Sequence, residues 1–263
     1  MVWRIGLDNN EVKLKYLGIN GFEFSVGGNI LLIDPYVSRT RADEPCSHQQ
    51  TVRRHIHQAD TIFLTHSHWD HLADIPEIVE ITGAAVYGSL TSCNSLKSCS
   101  VPEDRINQFI SYIPYSCGPF VVTPIPSLHK LPCLYPGEYD DIPERLLMRH
   151  EFLEGGTWAF LVEVESTSFL ILGSANYIAS ELDGKKTDYL IVSISGRTPE
   201  FMTDLHSIFS FQYCIPSHFD FFDTPLENAG IRVSVDEFTE EMRAIDPEIV
   251  ILKPTPLSFI PIK

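Results

Sequence analysis

The chain has 263 residues, 44% of them hydrophobic, which is enough for one large globular domain with a proper core or for two small ones. Its 35 acidic and 19 basic side chains give a net charge of −16, which argues against nucleic acid or a membrane surface as a partner, although a local basic pocket could still bind a small anion. The sequence has no long apolar run and no secretory signal at residues 1–6. Its six cysteines, one of them Cys46, contain no C-x-x-C pair. These features predict a cytoplasmic protein with reduced thiols.

The hydrophobic periodicity predicts interleaved strands and helices without a composition break that would mark a linker. Strands are predicted at 13–17, 22–26, 29–33, up to Leu64, 84–87, 108–113, 119–125, 158–165, 168–172, 188–194, 211–215 and 248–252. Helices are predicted at 53–59, 75–81, 90–96, 199–209 and 235–244, with Pro199 at the first position of the fourth helix. We expect one domain over residues 1–263. Residues 130–156 lack periodicity and form a loop insertion, interpreted with equal weight as a cover over a substrate or as an ordinary surface excursion.

A cluster of potential metal ligands follows the short apolar run that ends at Leu64. It reads Thr-His-Ser-His-Trp-Asp-His over residues 65–71. Residues two apart in an extended chain project to the same side, so His66 and His68 can aim at one point. Asp70 and His71 come after the chain has begun to turn, and they can face a second point nearby. Imidazole and carboxylate groups are ligands for zinc, iron or manganese, so this segment predicts a metal site.

Two later histidines follow predicted strands in the same way. His129 comes after the strand at 119–125, and His218 comes after the strand at 211–215. Either one alone is more typical of a structural histidine. Because loops at strand ends can bring ligands together from distant positions, we expect both to join the cluster.

The H-x-H-x-D-H pattern resembles the signature of the metallo-β-lactamase superfamily. Residues 16–36, which run Y-L-G-I-N-G-F through I-D-P-Y, resemble the opening of its UlaG-like branch of lactonase-like metal-dependent hydrolases. The resemblance implies an α/β fold, a four-layer αββα sandwich with mixed sheets inside and helices outside. It also implies two adjacent ion sites, one held by His66, His68 and His129 and the other by Asp70, His71 and His218.

This resemblance implies a hydrolase with one or two divalent ions, zinc first and manganese or iron as alternatives. A metal-bound hydroxide would attack an ester, lactone or phosphodiester bond of a small cytoplasmic metabolite, with Asp70 as ligand and proton acceptor. A nuclease of the same superfamily is disfavoured by the net charge of −16. A homo-oligomer is left open. Asp34 is interpreted either as a partner that orients a ligand histidine or as part of an Asp-Pro turn.

One position departs from the family. The aspartate that usually bridges the ions after the strand at 168–172 is replaced by Ser174, within Gly-Ser-Ala-Asn. Ser174 or Asn176 could bind a bridging water or act as a weak ligand. The alternative is a metal-binding but catalytically impaired regulatory or binding module. Lys130, Arg145, Arg149 and Arg197 could recognise an anionic substrate, but the sequence does not place them.

Overall fold

The computed structural model describes residues 11–39, 49–145 and 147–263. The sequence predictions for residues 1–6 and for Cys46 lie outside the described residues. In chain order the elements are β1 Lys13–Gly18, β2 Gly21–Val26, β3 Asn29–Ile33, α1 Gln49–His55, β4 Thr61–Phe63, α2 Trp69–Leu72, α3 Ile75–Thr82, β5 Ala85–Gly88, α4 Leu90–Ser98, β6 Ile106–Gln108, β7 Tyr115–Cys117, β8 Phe120–Ser127, β9 Thr157–Val164, β10 Thr167–Leu172, α5 Ala179–Leu182, β11 Lys186–Ser193, α6 Phe201–Ile208, β12 Ser210–Ser217, α7 Val235–Ile245, β13 Val250–Ile251 and β14 Phe259–Ile260.

The described strands form two mixed sheets. One has the order β14-β1-β2-β3-β4-β5-β6, and the other has the order β13-β12-β11-β10-β9-β8-β7. Aromatic rings fill the space between them, as where Phe24 lies 5.1 Å from Phe169 and Phe63 lies 5.4 Å from Phe160, both edge to face. The predicted α/β sandwich with sheets inside is therefore confirmed.

Helices cover the outer faces of both sheets. Val52 of α1, Ile78 of α3 and Leu96 of α4 are buried in one cluster with Leu32 and Ile62 of the first sheet. On the second sheet, α6 and α7 bury Leu205, Phe238 and Met242. The apolar stripes predicted from helical periodicity are thus the surfaces that build the outer layers. None of the described helices has the length and apolar character needed to cross a membrane.

The predicted strand at 108–113 is wrong. The chain leaves β6 at Gln108 and turns, and Ile110 and Ile113 are exposed instead of buried. Tyr112 takes a left-handed backbone conformation with φ of 67°, which a strand does not accommodate. The apolar residues of this segment follow the spacing of a strand although they lie in an exposed turn. Hydrophobic periodicity alone does not distinguish the two cases.

Two prolines lie inside β8, which runs further than predicted. Pro124 and Pro126 lie beyond the stretch of β8 that pairs with β7, so no ladder hydrogen bond to β7 is lost there. The predicted position of Pro199 as the first residue of a helix is wrong, because α6 begins at Phe201 with Glu200 as its N-cap residue.

The carboxyl ends of five strands meet along one edge of the sandwich. In the first sheet β3 and β4 are parallel, and in the second sheet β8, β10 and β12 run in the same direction as one another. The backbone amide of Trp158 donates to the carbonyl of Thr65 at 2.9 Å, which joins the two sheets at this edge. Loops leaving these strands therefore converge, as is usual for sites in α/β proteins.

Candidate metal centre

The first ligand group, here called the His66 triad, consists of His66, His68 and His129. Each offers a ring nitrogen, and the three atoms lie within 4.8 Å of one another. The His66 and His68 rings are 4.7 Å apart, and both lie about 5 Å from the His129 ring, at 5.1 and 4.8 Å. The loop after β4 supplies two of the rings and the loop after β8 supplies the third, so the structure brings together the residues named from the sequence.

The second group, here called the Asp70 triad, consists of Asp70, His71 and His218. Its three ligand atoms also lie within 4.8 Å of one another. Asp70 and His71 belong to the short helix α2, which turns the chain directly after the His-x-His segment. The two triads are adjacent, because the His66 and His71 rings are only 3.8 Å apart.

Asp34 orients His71 from the end of β3. Its Oδ2 atom lies 2.8 Å from Nδ1 of His71 and accepts a hydrogen bond from the Thr65 hydroxyl at 2.5 Å. Its Oδ1 atom accepts from the Thr65 backbone amide at 2.8 Å. The side chain of Asn20 donates to Asp34 and accepts from Ser217, so it connects the ends of β3 and β12. This network fixes the ring of His71 against two other loops.

His218 is held in a strained backbone conformation. Its φ is 58°, in the left-handed region that a non-glycine residue rarely adopts. Its amide donates to the carbonyl of Ile19, and the Ile19 amide donates to the carboxylate of Asp220. Arg39 forms a buried ion pair with Asp220 at 2.6 Å. The surrounding contacts therefore stabilise the strained loop, a pattern that concentrates at functional sites.

The pKa values of the His66 triad and of Asp70 suit metal binding. Although burial opposes it, Asp34 and Asp70 raise the pKa of His71, so a cation bound there would have to displace a proton. Burial, followed by the neighbouring histidines, lowers the pKa of His66 well below its ordinary value and the pKa of His129 to about 4, and burial also lowers the pKa of His68. The His66 triad is therefore neutral at pH 7, as metal coordination requires. Although burial opposes the charged carboxylate, the adjacent His71 and His218 hold the pKa of Asp70 well below its usual range, so Asp70 is ionised.

Two buried imidazole nitrogens lack a hydrogen-bond partner among the described residues: Nε2 of His71 and Nδ1 of His218. Because Asp34 binds Nδ1 of His71, the lone pair on Nε2 faces the centre. A buried polar atom without a partner is costly unless something else binds it. Five imidazoles and one carboxylate, with a ring nitrogen left open in this way, fit a divalent cation.

Ser174 and Asn176 make contacts that the sequence did not predict. Ser174 is 4% exposed, and its hydroxyl accepts from the Lys130 amide at 3.1 Å. The Asn176 side chain donates to the carbonyl of His129 at 3.1 Å. Both side chains therefore hold the loop that presents His129.

Part of the insertion lies across the centre and is tied to it. The backbone amide of Ser67 donates to the carbonyl of Glu154 at 2.8 Å, and Glu154 in turn donates to the carbonyl of Tyr135. Asn94 of α4 donates to the carbonyls of Tyr139 and Asp140. This part of the insertion thus forms one wall of a cleft of about 620 Å³, counting its open mouth, whose lining includes His66, His68, Asp70, His129 and His218.

Several residues of this region were not predicted from the sequence. Asn20, Thr65 and Asp220 position the loops that carry the ligands, and Tyr135 and Arg232 line the cleft. Two local sequence features could have indicated them: the Asp-Pro pair at Asp34 and the small polar residues that follow the strands of this edge. The two cationic residues Arg145 and Arg197 pair with Glu151 and Glu241 instead of lining the cleft.

The arrangement of ligands at these strand ends agrees with a match of the sequence to a model of the beta-lactamase superfamily domain over residues 29–233. The chain belongs to the beta-lactamase superfamily. A metal-dependent hydrolase from Methylocella silvestris is 31% identical over 119 residues, 45% of this chain and 48% of that protein, so the matched part spans about half of the relative's length. A metal-dependent hydrolase from Carboxydothermus hydrogenoformans is 25% identical over 92% of this chain and 97% of its own.

Two solved structures share the fold of this chain at low sequence identity. Igni18, a metallo hydrolase from the archaeon Ignicoccus hospitalis, superposes with a TM-score of 0.63 at 16% identity, covering 96% of this chain and 98% of its own. Zn²⁺-bound PqqB from Methylobacterium extorquens has a TM-score of 0.59 at 14% identity, covering 92% of this chain and 87% of its own. These likenesses concern the fold, since one superfamily fold can host many reactions.

Proposed function

We propose that the protein is a metal-dependent hydrolase that cleaves an ester, lactone or phosphodiester bond of a small cytoplasmic metabolite. The observation that carries this proposal is the meeting of two complete ligand triads, each within 4.8 Å, at the strand ends of a beta-lactamase superfamily fold. The names of the relatives from Methylocella silvestris and Carboxydothermus hydrogenoformans support the same class of activity.

Zinc is the metal we propose first, with one or two ions per chain. Imidazole-rich sites with a carboxylate suit zinc, and PqqB, which shares the fold, binds Zn²⁺. Manganese or iron would be accepted by the same donors. Divalent ions held here would supply the Lewis acidity and the lowered water pKa that hydrolysis at neutral pH needs.

The side chains around the centre would position the ligands and bind the substrate. Asp34 fixes the His71 ring, and Asn20 fixes Asp34, so the Asp70 triad is preorganised before substrate arrives. Asp70 stays ionised, which suits a metal ligand. Because the same low pKa makes its carboxylate a weak base, coordination is its main proposed role and acceptance of a proton released in the cleft is a secondary one. Leu134, Tyr135 and Phe222 form an apolar wall that favours binding of a small organic molecule.

The experiment begins with purified protein, its metal content, and a screen of esters, lactones and phosphodiesters. Asp70→Ala should abolish turnover of any substrate found, because it removes a ligand and an anionic charge from the centre. His57→Ala is the matched control, since His57 is exposed and lies in a second His-x-His pair outside both triads. Turnover that survives Asp70→Ala unchanged would remove the proposed mechanism.

The second candidate function is a metal-binding but catalytically impaired regulatory or binding module. The observation that favours it is Ser174, whose hydroxyl binds the Lys130 amide where the family usually has a bridging carboxylate. Ser174→Asp should raise occupancy of a second ion and activity together if the centre is degenerate. No change on Ser174→Asp, with Ser174→Ala as the control for loss of the hydroxyl, favours a working centre built without the carboxylate.

The proposed partner is a small molecule, not nucleic acid or a membrane, and the net charge of −16 supports this choice. A homo-oligomer is a separate proposal. Light scattering of the purified chain tests it, and a single species at the monomer mass would exclude it.

A further inference from the structure

Three cationic side chains line the cleft beside the candidate metal centre: Lys130, Arg149 and Arg232. This local concentration is unexpected in a chain with 35 acidic and 19 basic residues. Within the same cleft the carboxylate of Asp70 faces His71 and His218, so it does not neutralise these cations directly. The cleft therefore has a positive wall next to its ligand residues.

Aromatic faces hold the two guanidinium groups close to the triads. The Cζ atom of Arg149 lies 4.7 Å from the ring centre of Trp69 and 5.6 Å from that of Phe222. The Cζ atom of Arg232 lies 5.4 Å from the same Phe222 ring. Trp69 stands between two candidate ligands in sequence, and the Phe222 ring is 5.2 Å from the His218 ring. Stacking leaves the edges of a guanidinium group, where its N–H donors point, free for a ligand.

These donors lack acidic partners in the part of the chain that the structure describes. No carboxylate of that part lies within 4.0 Å of the charged nitrogens of Lys130, Arg149 or Arg232, whereas Arg145 pairs with Glu151 and Arg197 with Glu241. Among the same residues, Nε1 of Trp69 has no hydrogen-bond acceptor, although Trp69 is only 2% exposed and lines the cleft. The cationic groups therefore keep hydrogen-bonding capacity for an anion, and the buried indole N–H of a residue in the same lining has none of its own satisfied.

We propose that Arg149, Arg232 and Lys130 form a subsite for an anionic group, a carboxylate or a phosphate, carried by the molecule that binds in the cleft. The subsite rests on the proposed function, since that molecule is taken to be the substrate. Arginine forks bind the planar or tetrahedral oxygens of such groups through paired hydrogen bonds. Leu134 and Tyr135 also line the cleft and are partly exposed, so the body of the ligand attached to the anion is apolar or aromatic.

The test measures binding of three probes of similar size to the metal-loaded protein by titration calorimetry: benzoate, phenyl phosphate and uncharged benzyl alcohol. Benzoate and phenyl phosphate together report the anionic preference, and the ratio of their affinities tells a carboxylate ligand from a phosphate ligand. Arg149→Gln and Arg232→Gln should each weaken the preferred anion about 10-fold, as expected for one charge-assisted hydrogen-bonded partner. Benzyl alcohol should bind equally to all variants.

Arg145→Gln is the matched control, because it removes the same charge from the insertion but from a side chain that pairs with Glu151. Arg149→Lys keeps the charge and loses the fork, and it should retain part of the affinity. Circular dichroism confirms that each variant is folded. The subsite is overturned if the anions bind the Arg149 and Arg232 variants as tightly as they bind the Arg145 variant.

The outcomes separate this inference from the proposed function. Anion binding that depends on Arg149 and Arg232, in a protein that hydrolyses no ester, lactone or phosphodiester, supports the subsite and contradicts the hydrolase. Equal kcat/KM for neutral and anionic esters, unchanged in the arginine variants, supports the hydrolase and overturns the subsite.

Discussion

Oδ2 of Asp34 lies 2.8 Å from Nδ1 of His71, and this contact makes the end of β3 part of the candidate metal centre. The contact fixes the ring so that Nε2, which is buried and has no hydrogen-bond partner among the described residues, faces the other candidate ligands. Asp34 itself has a φ of 44°, a conformation that costs free energy for a non-glycine residue. The chain thus holds a strained backbone at the residue that orients a candidate ligand.

Asp34→Asn should weaken metal binding about 10- to 100-fold, the usual effect of losing a carboxylate that orients a metal-binding histidine. Competition with a chromogenic chelator measures the change. Asp60→Asn is the control, because Asp60 also accepts a backbone hydrogen bond, from Ile30, but lies outside both triads. Equal metal affinity in the two variants would contradict the role given to Asp34.

His129→Ala should reduce the bound metal by about one equivalent per chain if each triad holds one ion. The Asp70 triad remains complete in this variant, so the remaining ion should stay. Mass spectrometry of the intact protein or elemental analysis counts the ions, and His57→Ala should keep them all. Loss of every ion in His129→Ala would show that the two triads bind metal as one unit.

Gly173→Ala should destabilise the protein by about 1–3 kcal/mol and lower metal occupancy. A Cβ atom at this position would come within 2.6 Å of the carbonyl oxygen of Trp158 and of the Thr65 side chain, at the junction of the two sheets. Urea unfolding measures the stability. Gly184→Ala is the matched control, because its Cβ meets nothing within 4 Å and only its left-handed φ of 69° is strained. A larger loss in Gly184→Ala would contradict the steric argument.

Asp74 should make stability depend on pH between about 4 and 6. Burial raises the pKa of its carboxyl to about 6, although hydrogen bonds from Ser38 and Val37 oppose the shift. Because the folded pKa exceeds the unfolded one, the stabilising contribution is fully present below pH 3.8 and is lost as the pH rises through about 6. The expected loss is on the order of 3 kcal/mol.

Urea unfolding of chelator-treated protein at several pH values tests this, with Asp74→Asn beside the wild type. Protonation of the buried histidines affects both proteins equally, so the difference between the two curves isolates Asp74. Parallel curves over this range would show that the carboxyl keeps an ordinary pKa in the folded protein.

The sequence predicted those parts of the centre whose chemistry is local. The His-x-His and Asp-His pairs lie within six residues after one strand, so strand and turn geometry alone aim them at two points. His129 and His218 were predictable as residues that follow strands, and the resemblance assigned them to ion sites. The sandwich fold followed from the resemblance and is confirmed by the two mixed sheets.

The remaining residues depend on contacts that no local pattern contains. Asn20 binds Ser217 across 197 positions, and Ile19 binds Asp220 across 201. Arg232 is an ordinary exposed cation in the sequence, and only the fold places it over Phe222. The incorrect prediction of a strand at 108–113 has the same cause, because an apolar pattern in the sequence does not show which residues pack against it.

The hydrogen bond from the Ser67 amide to the Glu154 carbonyl separates the insertion into two parts that should differ in how far their sequences can change. The stem, from Tyr135 to Tyr139 and back to Glu154, is bonded to the ligand-bearing loop and to α4, so a change there would displace His66 and His68. The tip at residues 141–145 is mostly exposed, and Arg145 pairs with Glu151 of the same insertion instead of with the ligand-bearing loop or α4. Residues 141–145 are not among those that line the cleft, so replacing or lengthening this tip should change the outer surface of the insertion while leaving the candidate ligands in place.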